Sequence, residues 1–379
     1  MMPRKYQPPA EYTRVESWLP TMTIKQSAVT PSPPLQITLL VCTRNGSRTL
    51  DECLRTCLAE VQRNGAPPAE VIVVDNGSTD TTPAILEKSA RHNPRWLRVL
   101  HASEPGKNHA FEAGVRAARG EIVAIIDDDN YIGPEYLTHV AAFFRDYPAA
   151  GVVGSLNRLD ESVVAPDWFP WAKDLLACER PLIADRVTVD DRGREIGDLG
   201  YIAGAGMAFL KRPLLDAWDS GYRFFSNTNR QAGITGEDIE LCFLLRSMGF
   251  RFGFDPQMHL RHDIAAARLT PAAFWELCEM VGAGSLGLDP FLFTTKHHGT
   301  RASVKWRWSW QLLAKVKRWA LSVATKGGTA DTADERRFRR RRERHQCWGA
   351  VRHLAANRER YTRHVRQVAS GAWTRLRVR

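Results

Sequence analysis

The chain has 379 residues, 44% of them hydrophobic, with 53 Lys and Arg against 42 Asp and Glu for a formal net charge of +11. That length can bury one large core or a core plus an appendage. No stretch of eighteen apolar residues and no apolar leader with a small-residue cleavage site is present, so neither a spanning helix nor a signal peptide is expected. Seven cysteines without C-x-x-C pairing read as reduced core thiols of a cytoplasmic protein.

In chain order, residues 1–34 are Pro-rich and aperiodic and read as a flexible arm. From "ITLLVCT" onward, short β-branched runs alternate with helical patterns, the signature of βαβ units and a mostly parallel sheet. The expected strands are "ITLLVCT", "EVIVVDN", "LRVLHAS", "EIVAIID", "GVVGSLN" and "MAFLKR". Between them fall a helix opened by a capping box from Thr49 to Glu52, one holding "PAILEKSARH", one holding "HAFEAGVRAARG" and one entered at Pro134. A further helix, "GEDIELCFLLRSMG", ends on Gly249. Residues 35–265 thus form one α/β domain, 266–295 a helical closing segment and 296–379 a basic tail, with "TKGGTADTADE" as a linker inside it.

Ligands of such sheets sit beyond the carboxyl ends of the strands. That rule selects "CTRNGS", "DNGSTD" and "DDDN". Three successive carboxylates at a strand end repel: two of them about 6 Å apart cost roughly 3 kcal/mol at an effective dielectric of about 20. A hard divalent cation, Mg²⁺ or Mn²⁺, removes that cost and keeps open positions for phosphate oxygens. The competing explanation of Asp127, Asp128 and Asp129 is a solvated acidic turn that also caps the helix after Pro134; that of Asp75 is an Asx-turn or helix N-cap in the Asn76 to Asp80 loop.

The segments "LLVCTRNGSRTLDECLRTCL", "EVIVVDNGSTDTT", "GEIVAIIDDDNYIGPEYL", "GAGMAFLKRPLLDAW" and "GEDIELCFLLRSMGFRFGFDPQMHLRH" resemble, in order and spacing, the inverting family 2 glycosyltransferases of GT-A fold. Within them the chain looks most like the bacterial hormogonium-polysaccharide-type enzymes of surface polysaccharide biosynthesis, over roughly residues 36–290. The resemblance implies that Thr43, Arg44, Asn45 and Asp75 form the base-and-ribose pocket. It also implies that Asp127 and Asp129 are the D-x-D carboxylates, with Asp127 nearer the ribose, Asp129 the direct metal ligand and Asp128 tuning the site. His262 resembles a late histidine of the metal shell, with His259 as its competitor.

By the same resemblance Asp238 is the catalytic base and Glu237 orients base or acceptor; read alone, both are favourable first-turn acids of a helix. Glycines of "AGAGMAFL" admit a close approach, either of a donor sugar or of a neighbouring strand. Where many relatives open the third helix with Arg-Asn, this chain has Phe111 and Glu112, which removes a candidate phosphate or ribose contact and puts an acid near the donor; Lys107 or the helix start at Gly106 compensates. The implied donor is a UDP-sugar, with GDP- and dTDP-sugars as alternatives, and the implied acceptor a glycan or lipid-linked sugar. A nucleotidyltransferase and a non-catalytic polyanion-binding scaffold are the rival readings.

Residues 296–379 hold 23 Lys and Arg against 5 Asp and Glu, net +18, leaving −7 for the rest. In residues 305–323, Arg307, Gln311, Lys315, Arg318 and Ser322 line one helical face and Trp306, Trp310, Leu313, Val316 and Ala320 another. Tryptophans beside lysines suit a lipid headgroup boundary, so the tail is expected to hold the protein at the cytosolic face of the inner membrane, through anionic lipid. A helix packing its tryptophans on the body is the alternative. No base-reading module is present, so nucleic acid is not an expected partner.

Overall fold

The computed structural model describes residues 37–102, 104, 106–226, 233–296, 306–324, 332–371 and 373. The expected arm at 1–34 and most of the expected linker, 325–331, lie outside them. Strands β1 (Ile37–Thr43), β2 (Ala69–Asp75), β3 (Leu97–His101) and β4 (Ile122–Asp127) pair in parallel, in the order β3-β2-β1-β4. They alternate with helices α1 (Leu50–Gln62), α2 (Thr82–His92) and α3 (Lys107–Ala117). Burial of successive strand residues on both faces explains why these strands read as continuous apolar runs. Leu40 and Val74 face α3, whereas Leu39 and Val41 face α1, so one sheet separates two cores.

After a short β5 (Asn130–Ile132) and α4 (Tyr136–Asp146), β6 (Ala150–Leu159) continues the sheet. Small strands β7 (Leu182–Ala184), β8 (Thr188–Val189), β9 (Glu195–Gly197) and β10 (Leu199–Tyr201) precede β11 (Met207–Leu210), which inserts antiparallel between β4 and β6. Helices α5 (Lys211–Asp219) and α6 (Glu237–Ser247) then lead into β12 (Arg251–His262). The last pairs in parallel with β6 and antiparallel with β5 and β9. Gly249, at φ +97°, ends α6 as expected, its N–H reaching the Arg246 carbonyl. The capping box is a correction: Thr49 makes no side-chain cap, and Glu52 turns instead to Arg55 at 2.6 Å.

Beyond β12 come α7 (Pro271–Gly284), α8 (Asp289–Lys296), α9 (Trp308–Ala324), α10 (Ala333–Ala356) and α11 (Arg358–Ser370). The C-terminal helices pack on the body. Phe338 of α10 stacks on Phe274 of α7 with ring centres 5.2 Å apart. Leu354, Tyr361 and Trp373 are fully or almost fully buried. Among the described residues no helix is long and apolar enough to cross a membrane.

Candidate active site

Parallel register sets the site. Thr43 is the partner of Asp75, and Cys42 of Asp127, so the ends of β1, β2 and β4 share one edge. Thr43 Oγ1 donates to Asp128 Oδ2 at 2.6 Å, drawing the first loop over the acidic cluster. A Cβ on Gly46 would stand 2.3 Å from that same carboxylate oxygen, which explains the glycine of "CTRNGS". Burial pushes the Asp128 carboxyl up to about 6, against the lowering effect of Thr43.

Asn45, in the left-handed region at φ +56°, accepts from the Thr79 N–H at 2.8 Å, while its own N–H donates to Ser78 at 2.9 Å. Asp75 is buried and accepts from the Ser78 N–H at 3.0 Å, a local cap three residues on and not the i+2 bond of an Asx-turn. The expected pocket residues Thr43, Asn45 and Asp75 thus meet in one rim, with Arg44 exposed on it.

Lys107, the first residue of α3, joins the acidic cluster to the "GED" turn. Its Nζ lies 3.2 Å from Asp127 Oδ1 and 3.6 Å from Glu237 Oε1. Asp127 raises the ammonium above its ordinary value despite burial, and Glu237 adds to the effect. The expectation for Glu112 is corrected: it faces Arg116 at 2.9 Å, not the donor side. Phe111 is a core residue, 6.0 Å from the Phe209 ring and 5.9 Å from that of Trp218.

Asp238 is held by backbone. Its Oδ2 accepts from the Gly204 N–H at 2.7 Å and its Oδ1 from the Ile239 N–H at 2.8 Å. The antiparallel pairing of Met207 with Ile125 places the Gly204–Gly206 turn at the same edge as Asp127. Burial, followed by the Glu237 charge, pushes the Asp238 carboxyl up to about 6, outweighing Lys107 and the two amides. The two glycines serve different ends: Gly204 presents its N–H to Asp238, whereas Gly206 has φ +69° and a Cβ there would stand 2.2 Å from Ser155 Oγ.

Asp129 and His262 meet because β5 pairs with the end of β12, Asn130 opposite His262. His262 Nε2 lies 3.4 Å from Asp129 Oδ2, and Cys178 Sγ lies 3.7 Å from the other ring nitrogen. Burial alone would lower the imidazole, but Asp129 and then Cys178 raise it to about 10. Nε2 is buried without a hydrogen bond, although it points at a carboxylate. An oxygen and an imidazole nitrogen so placed fit a hard or borderline divalent cation, which would bind in exchange for the Nε2 proton.

Among the described residues no three His, Cys, Asp or Glu side chains converge as a metal cage, since Asp127 turns to Lys107. His259, the competitor, donates from Nδ1 to the Gln257 carbonyl, 2.9 Å away, and is exposed. Sequence reasoning missed Arg268, whose Nη1 pairs with Asp129 Oδ2 at 2.8 Å. It also missed Glu240, fully buried, which accepts from Tyr222 Oη at 2.6 Å and from the Phe225 and Ser226 amides at 2.8 and 2.6 Å.

Comparison with known proteins accords with this geometry. Residues 38–216 match the profile of Glycosyl transferase family 2. A putative glycosyltransferase EpsH of Bacillus subtilis is 35% identical over 100 residues, 26% of this chain and 28% of its own. An N-acetylglucosaminyltransferase of Azorhizobium caulinodans is 25% identical over 251 residues, 65% of this chain and 59% of its own. The chain therefore spans less than two thirds of these relatives. A mannosyltransferase from Pyrobaculum calidifontis, solved in complex with GDP-Man and Mn²⁺, superposes with a TM-score of 0.50 at 19% identity, covering 86% of this chain and 89% of that one. Residues 38–216 thus resemble the Glycosyl transferase family 2 profile, and the chain shares the mixed α/β, GT-A-like fold of that mannosyltransferase.

Proposed function

We propose that this chain is an inverting, metal-dependent glycosyltransferase that moves a sugar from a nucleotide-sugar to a glycan or lipid-linked acceptor in surface polysaccharide biosynthesis. The observation that carries the reading is Lys107, which ties the strand-end acid Asp127 to Glu237, the neighbour of Asp238. Thr43, Arg44, Asn45 and Asp75 form the rim for base and ribose. UDP-sugars are the first donors to test, followed by GDP- and dTDP-sugars. The "DDDN", "GAG" and "GEDIE" segments resemble those of the hormogonium-polysaccharide-type branch, and that resemblance is the support for this branch.

Asp129 and His262 would hold Mg²⁺ or Mn²⁺, which when bound neutralises charge on the donor's diphosphate. Lys107 carries a fixed positive charge beside the same region. Asp238 Oδ1 and Oδ2 each accept one backbone N–H, leaving each oxygen a free lone pair. One of them takes the proton of the acceptor hydroxyl as its oxygen bonds to the anomeric carbon and the bond to the diphosphate breaks, the electron pair leaving with that oxygen. A carboxyl near 6 is ionised at neutral pH and more basic than an ordinary aspartate. No covalent intermediate is needed, and the single displacement inverts the anomeric centre. Arg268, drawn to Asp129, supplies a second cation at the leaving-group side.

Screening nucleotide-sugars for nucleotide release tests the activity, and Mn²⁺-dependent calorimetric binding of UDP or GDP tests the site. A nucleotidyltransferase would process nucleoside triphosphates, and a scaffold would show no metal-dependent nucleotide affinity. Either result would count against the proposal.

A further inference from the structure

The two faces read from residues 305–323 are unequally covered in the fold. Gln311 and Ser322 are buried, and Lys315 and Arg318 pair with Asp289 at 3.1 Å and Glu343 at 3.3 Å. The polar face of α9 is therefore the one that packs. Trp306 packs against the core with Trp308 and Leu312, but the rest of the helix's apolar face points outward: Trp310 is 45% exposed, Leu313 63% and Val316 39%. Of eight exposed large apolar side chains among the described residues, five belong to α9 and α10, so this surface is concentrated.

A basic surface adjoins it. Ser322 lines a cavity of about 640 Å³ with Arg337, Arg340, Arg341, Arg344 and His345 of α10. Among the described residues no carboxylate lines that cavity, although Asp334 approaches Arg337 at 3.9 Å from one turn away and Glu279 pairs with His345 at 3.0 Å. A turn before Ser322, Trp319 meets Trp348 with ring centres 5.8 Å apart, and Trp348 is itself 43% exposed. Arg337, Arg341, Arg344 and Trp348 share one face of α10 by helical spacing.

Apolar side chains that would be costly to leave in water, bordered by clustered arginines, fit one kind of occupant: a bilayer carrying anionic headgroups. We infer that α9 and α10 form a membrane-docking surface, with Trp310, Leu313 and Val316 entering the headgroup boundary and the α10 arginines contacting lipid phosphates. The inference stands independently of sugar transfer. Nucleic acid would use the arginines but leave the apolar face in water.

The full chain is used for the test, because removing residues after 300 would strip Phe338, Leu354 and Tyr361 from the core. Flotation at about 150 mM salt with vesicles of phosphatidylcholine, with and without one third phosphatidylglycerol, should recover the protein only on the anionic vesicles. Arg337→Gln with Arg341→Gln and Arg344→Gln should weaken partitioning roughly 100-fold. Trp310→Ser with Leu313→Ser should weaken it at least about tenfold at every salt concentration. Because these side chains are exposed, thermal melts should match the parent. Equal recovery on both vesicle types, no recovery on either, or wild-type partitioning by both variants would overturn the inference. So would binding of a DNA duplex that the arginine set abolishes while vesicle binding stays unchanged.

Discussion

Replacing Asp238 with Asn tests the proposed base most sharply. Asn keeps the size and one carbonyl acceptor, so one of the two backbone hydrogen bonds, from Gly204 or Ile239, survives. It cannot take a proton at neutral pH. General-base catalysis typically contributes about 10² to 10⁴ in rate, or roughly 3 to 5.5 kcal/mol of barrier. The expected outcome is a loss of kcat in that range, with nucleotide affinity unchanged within about twofold. A pH profile supplies an independent readout. The base must be ionised, and its folded value is raised to about 6, so kcat/KM should rise with pH to half its plateau near 6. Below about pH 5 it should fall tenfold per unit. Nucleotide release measured from pH 4.5 to 8.5, alongside calorimetric nucleotide binding, provides both curves. A variant retaining a tenth or more of the parent turnover, or losing donor binding and turnover together, would refute the assignment of Asp238.

Three other outcomes are expected. His262→Ala and Asp129→Asn should each weaken Mn²⁺ binding at least about tenfold by calorimetry or electron paramagnetic resonance, and wild-type affinity in both would remove them from the metal site. Gly206→Ala, strained at φ +69° and crowded by Ser155, should cost about 2 to 5 kcal/mol in urea unfolding; a loss under about 0.5 kcal/mol would contradict the packing described. Glu240→Ala leaves Tyr222 Oη and the amides of Phe225 and Ser226 without their acceptor, at roughly 3 to 5 kcal/mol, and unchanged stability would show that this carboxylate is dispensable.

The parts legible from sequence share a physical cause. β1, β2 and β4 are buried on both faces, so they stand out as apolar runs, and parallel pairing aligns their ends without further information. That alone gathers Thr43, Asp75 and Asp127. β12 was not foreseen, because Gly253, Asp255 and Pro256 break its pattern in the middle, although Gln257, His259 and Arg261 alternate outward beyond them. His262 was found by resemblance, but its meeting with Asp129 depends on that strand. The short strands β7 to β10 carry too few residues for any period to show. Arg268 lies in a 3-10 turn without a motif, and only the fold brings it to Asp129.

Periodicity divided α9 into two faces without saying which is covered. The answer depends on Asp289 and Glu343, which attract its cations from elements distant in sequence. The Thr49 to Glu52 pattern failed similarly, since Arg55 offers Glu52 a charged partner one turn on.

The most direct measurement is anomalous diffraction from crystals grown with Mn²⁺ and a nucleoside diphosphate. A manganese peak should lie at Asp129 and His262, with Asp238 on the acceptor side of the sugar, opposite the nucleotide's phosphates. Nucleotide bound without a metal at those two side chains, or bound at a place remote from Lys107 and Asp238, would contradict the account.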